Sequence, residues 1–180
     1  MPTYVAFLRA INLGATRKFP KGDIKRCVES IGATEVATHI NTGNVLLTTS
    51  MRSQGRIEAA LEKAFAADRG FAVPTIVFTP AEVVAIAAEA DELWSELGEP
   101  EAHYITLYKK PPPADATEAA HALEIEKEEV RVIGRAAHVV LHRSFHEARS
   151  LNTREFKALG EGTARNVTVI RALAAKWGAA

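Results

Sequence analysis

Between Tyr4 and Glu82 the chain alternates two periodicities in an order that leaves few ways to build a sheet. "YVAFL" (4–8) is a run of β-formers without polar alternation, the mark of a buried strand. Ile24, Cys27, Val28 and Ile31 follow at i, i+3, i+4 and i+7 and predict a helix over about 20–31, with Gly32 as its stop. "EVATHINTGNVLLTT" then supplies two strand-like runs separated by "NTGN", a hairpin signal because Asn and Gly tolerate positive φ. Ile57, Ala60, Leu61, Ala64 and Phe65 share one face of a helix over about 54–68. "VPTIVF" is a further strand, after which Thr79, Pro80 and Glu82 open a helix with a capping box and a proline at the first helical position. The order β-α-β-β-α-β is that of the split βαβ, or ferredoxin-like, arrangement. In it two crossover helices cover one face of a four-stranded sheet, so the strands need one apolar side.

The acidic stretch "ADELWSELGEPEA" (90–102) contains Gly and Pro and reads as a connector, anchored by Leu93, Trp94 and Leu97. Beyond it "HYITLY" is a strand, "KKPPPAD" turns into a helix at about 114–122, and "EVRVI" with "AHVVLH" forms a hairpin across "GR". Helices at about 152–159 and 164–176 close the chain. The expected architecture is α+β: a ferredoxin-like βαββαβ half over 1–90, an acidic connector over 91–102, and a second α+β half of βαββα type over 103–180 ending in two helices. The halves share an element order, but no residue pattern repeats.

Several function classes lose their usual support. Apolar residues at 47% and charged residues at 24% suit a soluble globular protein, and no apolar stretch approaches the roughly 20 residues that span a bilayer. The N-terminus lacks a basic region leading into a long apolar run, so a cytoplasmic protein with no membrane partner is expected. Cys27 is the single cysteine, cannot form an internal disulfide, and sits on the apolar stripe of its helix as a small buried hydrophobe. No "GxxxxGK[ST]", "GxGxxG" or "GxSxG" occurs, and no cofactor is expected. His138, His142 and His146 are spaced by four, which would align them on a helix, but the first two lie in a strand-like run. Four residues of strand span about 13 Å, too far for one zinc ion, so no metal is expected. Lys109 and Lys110 read as a solvated pair at a strand end. Tyr4 and Phe7 fall on opposite faces of the first strand and offer no base-stacking platform.

Charge is more informative than its sum. The net charge is zero, yet residues 1–50 carry +3, residues 51–130 carry −9 and residues 131–180 carry +6. If the basic ends meet in the fold, they attract anions. The first basic segment is the abrupt break after the N-terminal strand, where Arg9, Asn12, Gly14, Arg17 and Lys18 appear within ten residues.

Three segments, "YVAFLRAINLG", "VATHINTGNV" and "TARNVTVIRAL", resemble a bacterial family known as the domain of unknown function 1697. Its members carry patterns close to "YVALLRGINVGGKNKIPM", "VxTYIQSGNVxF" and "TxRNWNTVxKL". The resemblance implies a two-part α+β fold with a ferredoxin-like first half, and no established activity. It keeps Arg9, Ile11, Asn12, Gly14, Lys18, Gly43, Asn44, Thr163, Arg165 and Asn166. Ala10 and Ala15 stand where the family has glycines, Arg17 replaces Asn, Lys21 replaces Met and His39 replaces Tyr. Near the C-terminus Val167, Thr168, Val169 and Ala172 replace Trp, Asn, Thr and Lys.

The kept residues are types that bind rather than react: Arg gives a rigid fork of donors, Asn both donates and accepts, and Gly allows close backbone approach. The expected ligand-binding set is Arg9, Asn12, Arg17, Lys18 and Asn44, facing Thr163, Arg165 and Asn166. Thr163 is read as the N-cap of the last helix, with Arg165 and Asn166 in its first turn. Free N–H groups and the positive dipole end there favour an anion, and a cation in that turn is unfavourable without one. Each residue also has a plain structural role open to it: an ion pair for Arg9, turn bonds for Asn12 and Asn44, the cap itself for Thr163. Three classes stay open. A binding protein for a small anionic ligand comes first, an enzyme with His39 as its proton-transfer group second, and a nucleic-acid binder third. The oligomeric state is left open.

Overall fold

In the computed structural model, which describes residues 1–180, the N-terminal apolar run is strand β1 (Thr3–Leu8). Its helix partners α1 (Lys21–Ser30) and α2 (Gln54–Arg69) are the crossovers, and β2 (Thr34–His39), β3 (Asn44–Thr48) and β4 (Thr75–Phe78) complete the sheet. The strand order is β2-β3-β1-β4 with every pairing antiparallel, which is the ferredoxin-like order. Tyr4, Ala6 and Leu8 share one core with Ile24, Cys27 and Val28 of α1 and Ile57, Leu61 and Phe65 of α2. Val5 and Phe7 alternate with them and are equally buried, Phe7 meeting Phe78 edge to face at 5.9 Å between ring centres. One apolar side was expected to suffice; in β1 both sides leave water, and that is why the run shows no alternation.

Local chemistry sets the helix ends. Ser53 Oγ accepts the Arg56 N–H at the start of α2, and Gly70 (φ 75°) closes its end with an N–H to Ala66 O at 2.9 Å. The capping box at Thr79 forms reciprocally: Glu82 N–H donates to Thr79 Oγ1 at 3.2 Å, and Thr79 N–H donates to Glu82 Oε2 at 2.7 Å.

The chain divides into two compact units, Met1–Val83 with Ala175–Ala180, and Val84–Ala174. The acidic run expected as a connector is largely helix: α3 (Pro80–Leu97) continues through "ADELWSEL" and stops at Gly98, whose left-handed φ of 84° and N–H to Trp94 O at 2.9 Å end it. Beyond Gly98 the chain repeats the first unit's order with β5 (Ala102–Leu107), α4 (Ala114–His121), β6 (Glu128–Ile133), β7 (Ala136–Leu141), α5 (Arg154–Lys157) and β8 (Thr163–Asn166), followed by α6 (Val167–Trp177). Its sheet order is β6-β7-β5-β8, again antiparallel throughout.

Two expectations are corrected here. The helix placed at 152–159 is one turn, α5, preceded by a 3-10 turn at Ser150–Asn152. The helix placed at 164–176 begins only at Val167, because Thr163–Asn166 pair with β5 as a fourth strand. Gly162 makes that pairing possible, since a Cβ there would lie 2.5 Å from the Leu107 carbonyl oxygen. The second half is therefore a full βαββαβ with a helix added. No helix is long and apolar enough to cross a membrane.

Candidate functional site

β1 ends at Leu8, and the backbone then turns left-handed four times, at Ala10 (φ 55°), Asn12 (53°), Gly14 (58°) and Arg17 (52°). For a residue with a Cβ this conformation costs about 1–2 kcal/mol, so the loop has to be held. Asn12 does much of that. Its Oδ1 accepts the Phe19 N–H at 2.8 Å, its Nδ2 donates to Phe19 O at 3.2 Å and Asn41 O at 2.8 Å, and its own N–H donates to Arg17 O at 2.8 Å. Arg17 holds the other side, its guanidinium donating to the carbonyls of Ala10 and Ala72 and lying 4.4 Å over the Phe71 ring. Phe19 roots the loop in the core against Phe65, with Arg69 over its ring.

The β2–β3 turn abuts this loop. Leu8 N–H donates to Gly43 O at 2.8 Å, and Gly43 (φ 80°) lies so close to Leu8 and Ile11 that no side chain fits. Asn44 is fully buried, and its Nδ2 donates to His39 O and Thr42 Oγ1, both at 3.0 Å. Arg9 N–H donates to Pro74 O at 2.9 Å, just ahead of β4. Lys18 is exposed, and its carbonyl accepts from Arg69 at 3.3 Å. His39 is half-buried, its ring 6.2 Å from that of Trp177. Arg9, Asn12, Arg17, Lys18, His39 and Asn44 thus gather at one end of the first sheet.

At the loop's tip, φ changes sign at every residue from Ala10 to Gly14. Gly14 and Ala15 are the corners of a turn closed by the Thr16 N–H, which donates to Leu13 O at 3.0 Å. The N–H groups of Gly14 and Ala15 donate to nothing within the chain.

Thr163, Arg165 and Asn166 belong to the second unit and are not the cap and first turn of a helix. They lie on β8, where Thr163 pairs with Leu107 and Arg165 with Ile105. Arg165 is 7% exposed, and its Nη1 donates to Thr163 Oγ1 and Ala164 O, both at 2.9 Å. Burial pushes its pKa down to about 10, which leaves it charged at neutral pH. Asn166 is the residue that caps α6, its Oδ1 accepting the Thr168 N–H at 2.8 Å. The electrostatic conflict expected from a cation in the first turn is therefore absent.

One polar cluster had no place in the sequence reading. His138, spaced by four from His142 and His146 along the chain, instead meets His103 of β5, Nδ1 to Nε2 at 3.0 Å, and Glu89 of α3, Nε2 to Oε2 at 3.1 Å. Trp94 Nε1 donates to the remaining His103 nitrogen, Nδ1, at 2.9 Å. The two histidines are 35 residues apart, and only the β5–β7 register joins them.

No curated protein matches the chain. Among solved structures, the conserved bacterial protein SP0830 from Streptococcus pneumoniae is similar at 19% identity, over 96% of this chain and 97% of that one, with a TM-score of 0.74. At that identity the likeness concerns the fold alone. The family model described as "Protein of unknown function (DUF1697)" matches residues 1–138, which include the loop after β1 and the β2–β3 turn, while "TARNVTVIRAL" lies beyond the match. On that match, which covers well over half of its length, the chain belongs to the DUF1697 family of proteins of unknown function.

Proposed function

We propose that this protein binds a small anionic ligand, bearing phosphate or carboxylate, at the end of the first sheet where Arg9, Lys18 and the loop between them lie. The observation that carries this reading is the loop itself, with φ alternating in sign from Ala10 to Gly14 and braced by Asn12 and Arg17. A loop already fixed in its bound shape avoids much of the ordering cost of association. In this reading Lys18 and the N–H groups at the tip contact the ligand, Arg9 flanks it, and Asn12, Arg17 and Asn44 hold the frame. Thr163, Arg165 and Asn166 serve strand β8 and the start of α6, and no ligand contact is assigned to them.

A thermal-shift series with inorganic phosphate, nucleotides and dicarboxylates tests the reading. A ligand at 100 times its dissociation constant stabilises the folded state by about 2.7 kcal/mol, a plainly visible shift. The shift is expected to vanish in Lys18→Ala, which leaves the frame intact. Absence of any shift, combined with RNA binding that weakens steeply with salt, would replace the proposal with the nucleic-acid reading. Turnover of a stabilising compound, lost in His39→Ala with binding retained, would make the protein an enzyme acting on that ligand.

A further inference from the structure

The indole N–H of Trp94 can only donate a hydrogen bond. It points at His103 Nδ1 at 2.9 Å, so that nitrogen carries no proton and the His103 proton sits on Nε2. From there it points at His138 Nδ1, which must accept, and the His138 proton sits on Nε2 facing the Glu89 carboxylate. A side chain that does not titrate thus assigns every hydrogen along the row. Both imidazoles are buried, His103 at 1% and His138 at 0% exposure, while Glu89 at the far end reaches solvent.

The charges around the pair come from every neighbouring element. α3 contributes Glu89, Asp91 and Glu96; α6 contributes Arg171, whose guanidinium lies 3.9 Å over the Trp94 ring and donates to Asp91. On β6, Arg131 pairs with His138 in the ladder and binds Glu129 and Glu96. On β8, Arg165 shares the sheet face through Ile105 and is held by Thr163 and Ala164. We propose that Trp94, His103, His138 and Glu89 form an acid-released latch: a third proton on the two imidazoles sets two donors face to face, detaches Trp94 from His103 and loosens α3 from the second sheet.

Burial, the neighbouring His138 and the Arg171 cation push the His103 pKa down to about 3. The unfolded chain takes up that proton first, near pH 6.5. The His103 contribution to stability is therefore complete above about pH 6.5 and is lost as pH falls from there toward about 3.

Long-range proton–nitrogen spectra of the full-length protein labelled with nitrogen-15 histidine read the latch directly. The expected result at pH 7.5 is a proton on Nε2 and none on Nδ1 in both rings, with His103 Nδ1 still bare at pH 5. A proton on His103 Nδ1 at either pH overturns the proposal. Urea unfolding between pH 6.5 and 4.5 gives a second reading, in which His103 contributes a rise in the unfolding constant of up to about tenfold per pH unit. Trp94→Phe removes the donor that fixes the row, so its profile should be shallower than the wild-type one although it is less stable at pH 7.5. Parallel profiles would assign Trp94 to packing alone and sink the latch; should the variant not fold, the spectra of the wild-type protein decide by themselves.

Discussion

Gly43 has no room for a side chain. A Cβ there would lie 2.6 Å from Leu8 Cβ and 2.9 Å from Ile11 Cδ1, at a φ of 80° that L-residues rarely adopt. Gly43→Ala is expected to destabilise the protein by about 2–4 kcal/mol, measured by urea unfolding; a loss below about 1 kcal/mol would mean that the turn yields easily. Ala10 presents the opposite case. It is left-handed at φ 55°, where the family pattern has glycine, and Arg17 is left-handed at φ 52°, where the pattern has asparagine. Glycine and asparagine, the residues of the resembled pattern, suit this left-handed backbone better than alanine and arginine do. Ala10→Gly is expected to stabilise by up to about 1 kcal/mol, the relief of strain being partly offset by greater freedom in the unfolded chain. A loss in the same unfolding assay would count against the strain at that position. Kept Asn and Gly residues made this loop and turn legible in the sequence. The work of the Arg17 guanidinium was not, since its acceptors are carbonyls of residues 10 and 72 that any residue type supplies.

Legibility at the level of elements followed apolar spacing. α1, α2 and both hairpins show it and appear where expected; β8 does not, because two of its four residues, Thr163 and Arg165, are polar side chains that are nevertheless buried. The last turns of α3 are hard to see in the sequence because their acidic side chains resemble a solvated loop, although Leu93 is buried and Trp94 bonds His103. Glu128 on β6 shows how a buried charge ties elements together. Its carboxylate accepts the N–H groups of Arg149 at 2.8 Å and Ser150 at 2.8 Å, with Arg143 at 3.5 Å, and so fastens the 3-10 turn to the sheet edge. Burial alone would raise its pKa, but the Ser150 and Arg149 bonds and the Arg143 charge together hold it below the usual range. The folded state therefore binds this proton less readily than the unfolded one, and the contribution is full above about pH 4.3 and lost below it. Glu128→Gln is expected to lower stability at pH 7 by about 1–3 kcal/mol and to flatten the wild-type decline below pH 4.3, both read from urea midpoints. An unchanged acid limb would remove Glu128 from that role.

Across the whole molecule, one topology is used twice: each unit arranges its own strands in the same antiparallel order. Element order made the first copy legible. The second copy is legible but for its last strand, which carries no apolar alternation. Net charge is also a property of the whole chain, and here it is zero with an isoelectric point near 7.0 while the basic and acidic residues stay segregated in sequence. Solubility in a polyethylene glycol precipitation series should pass through a minimum near pH 7 and rise as added salt screens attraction between molecules. A minimum far from neutrality would mean that this balance does not govern association.

Ala175–Ala180 belong to the unit that contains β1 to β4, and Trp177 among them is buried with its ring near His39. The ribosome thus delivers Met1–Val83 of that unit and then has to make all of Val84–Ala174 before the remaining piece, Ala175–Ala180, emerges. The nascent first sheet has to wait through the synthesis of the entire second one before its own inventory is whole.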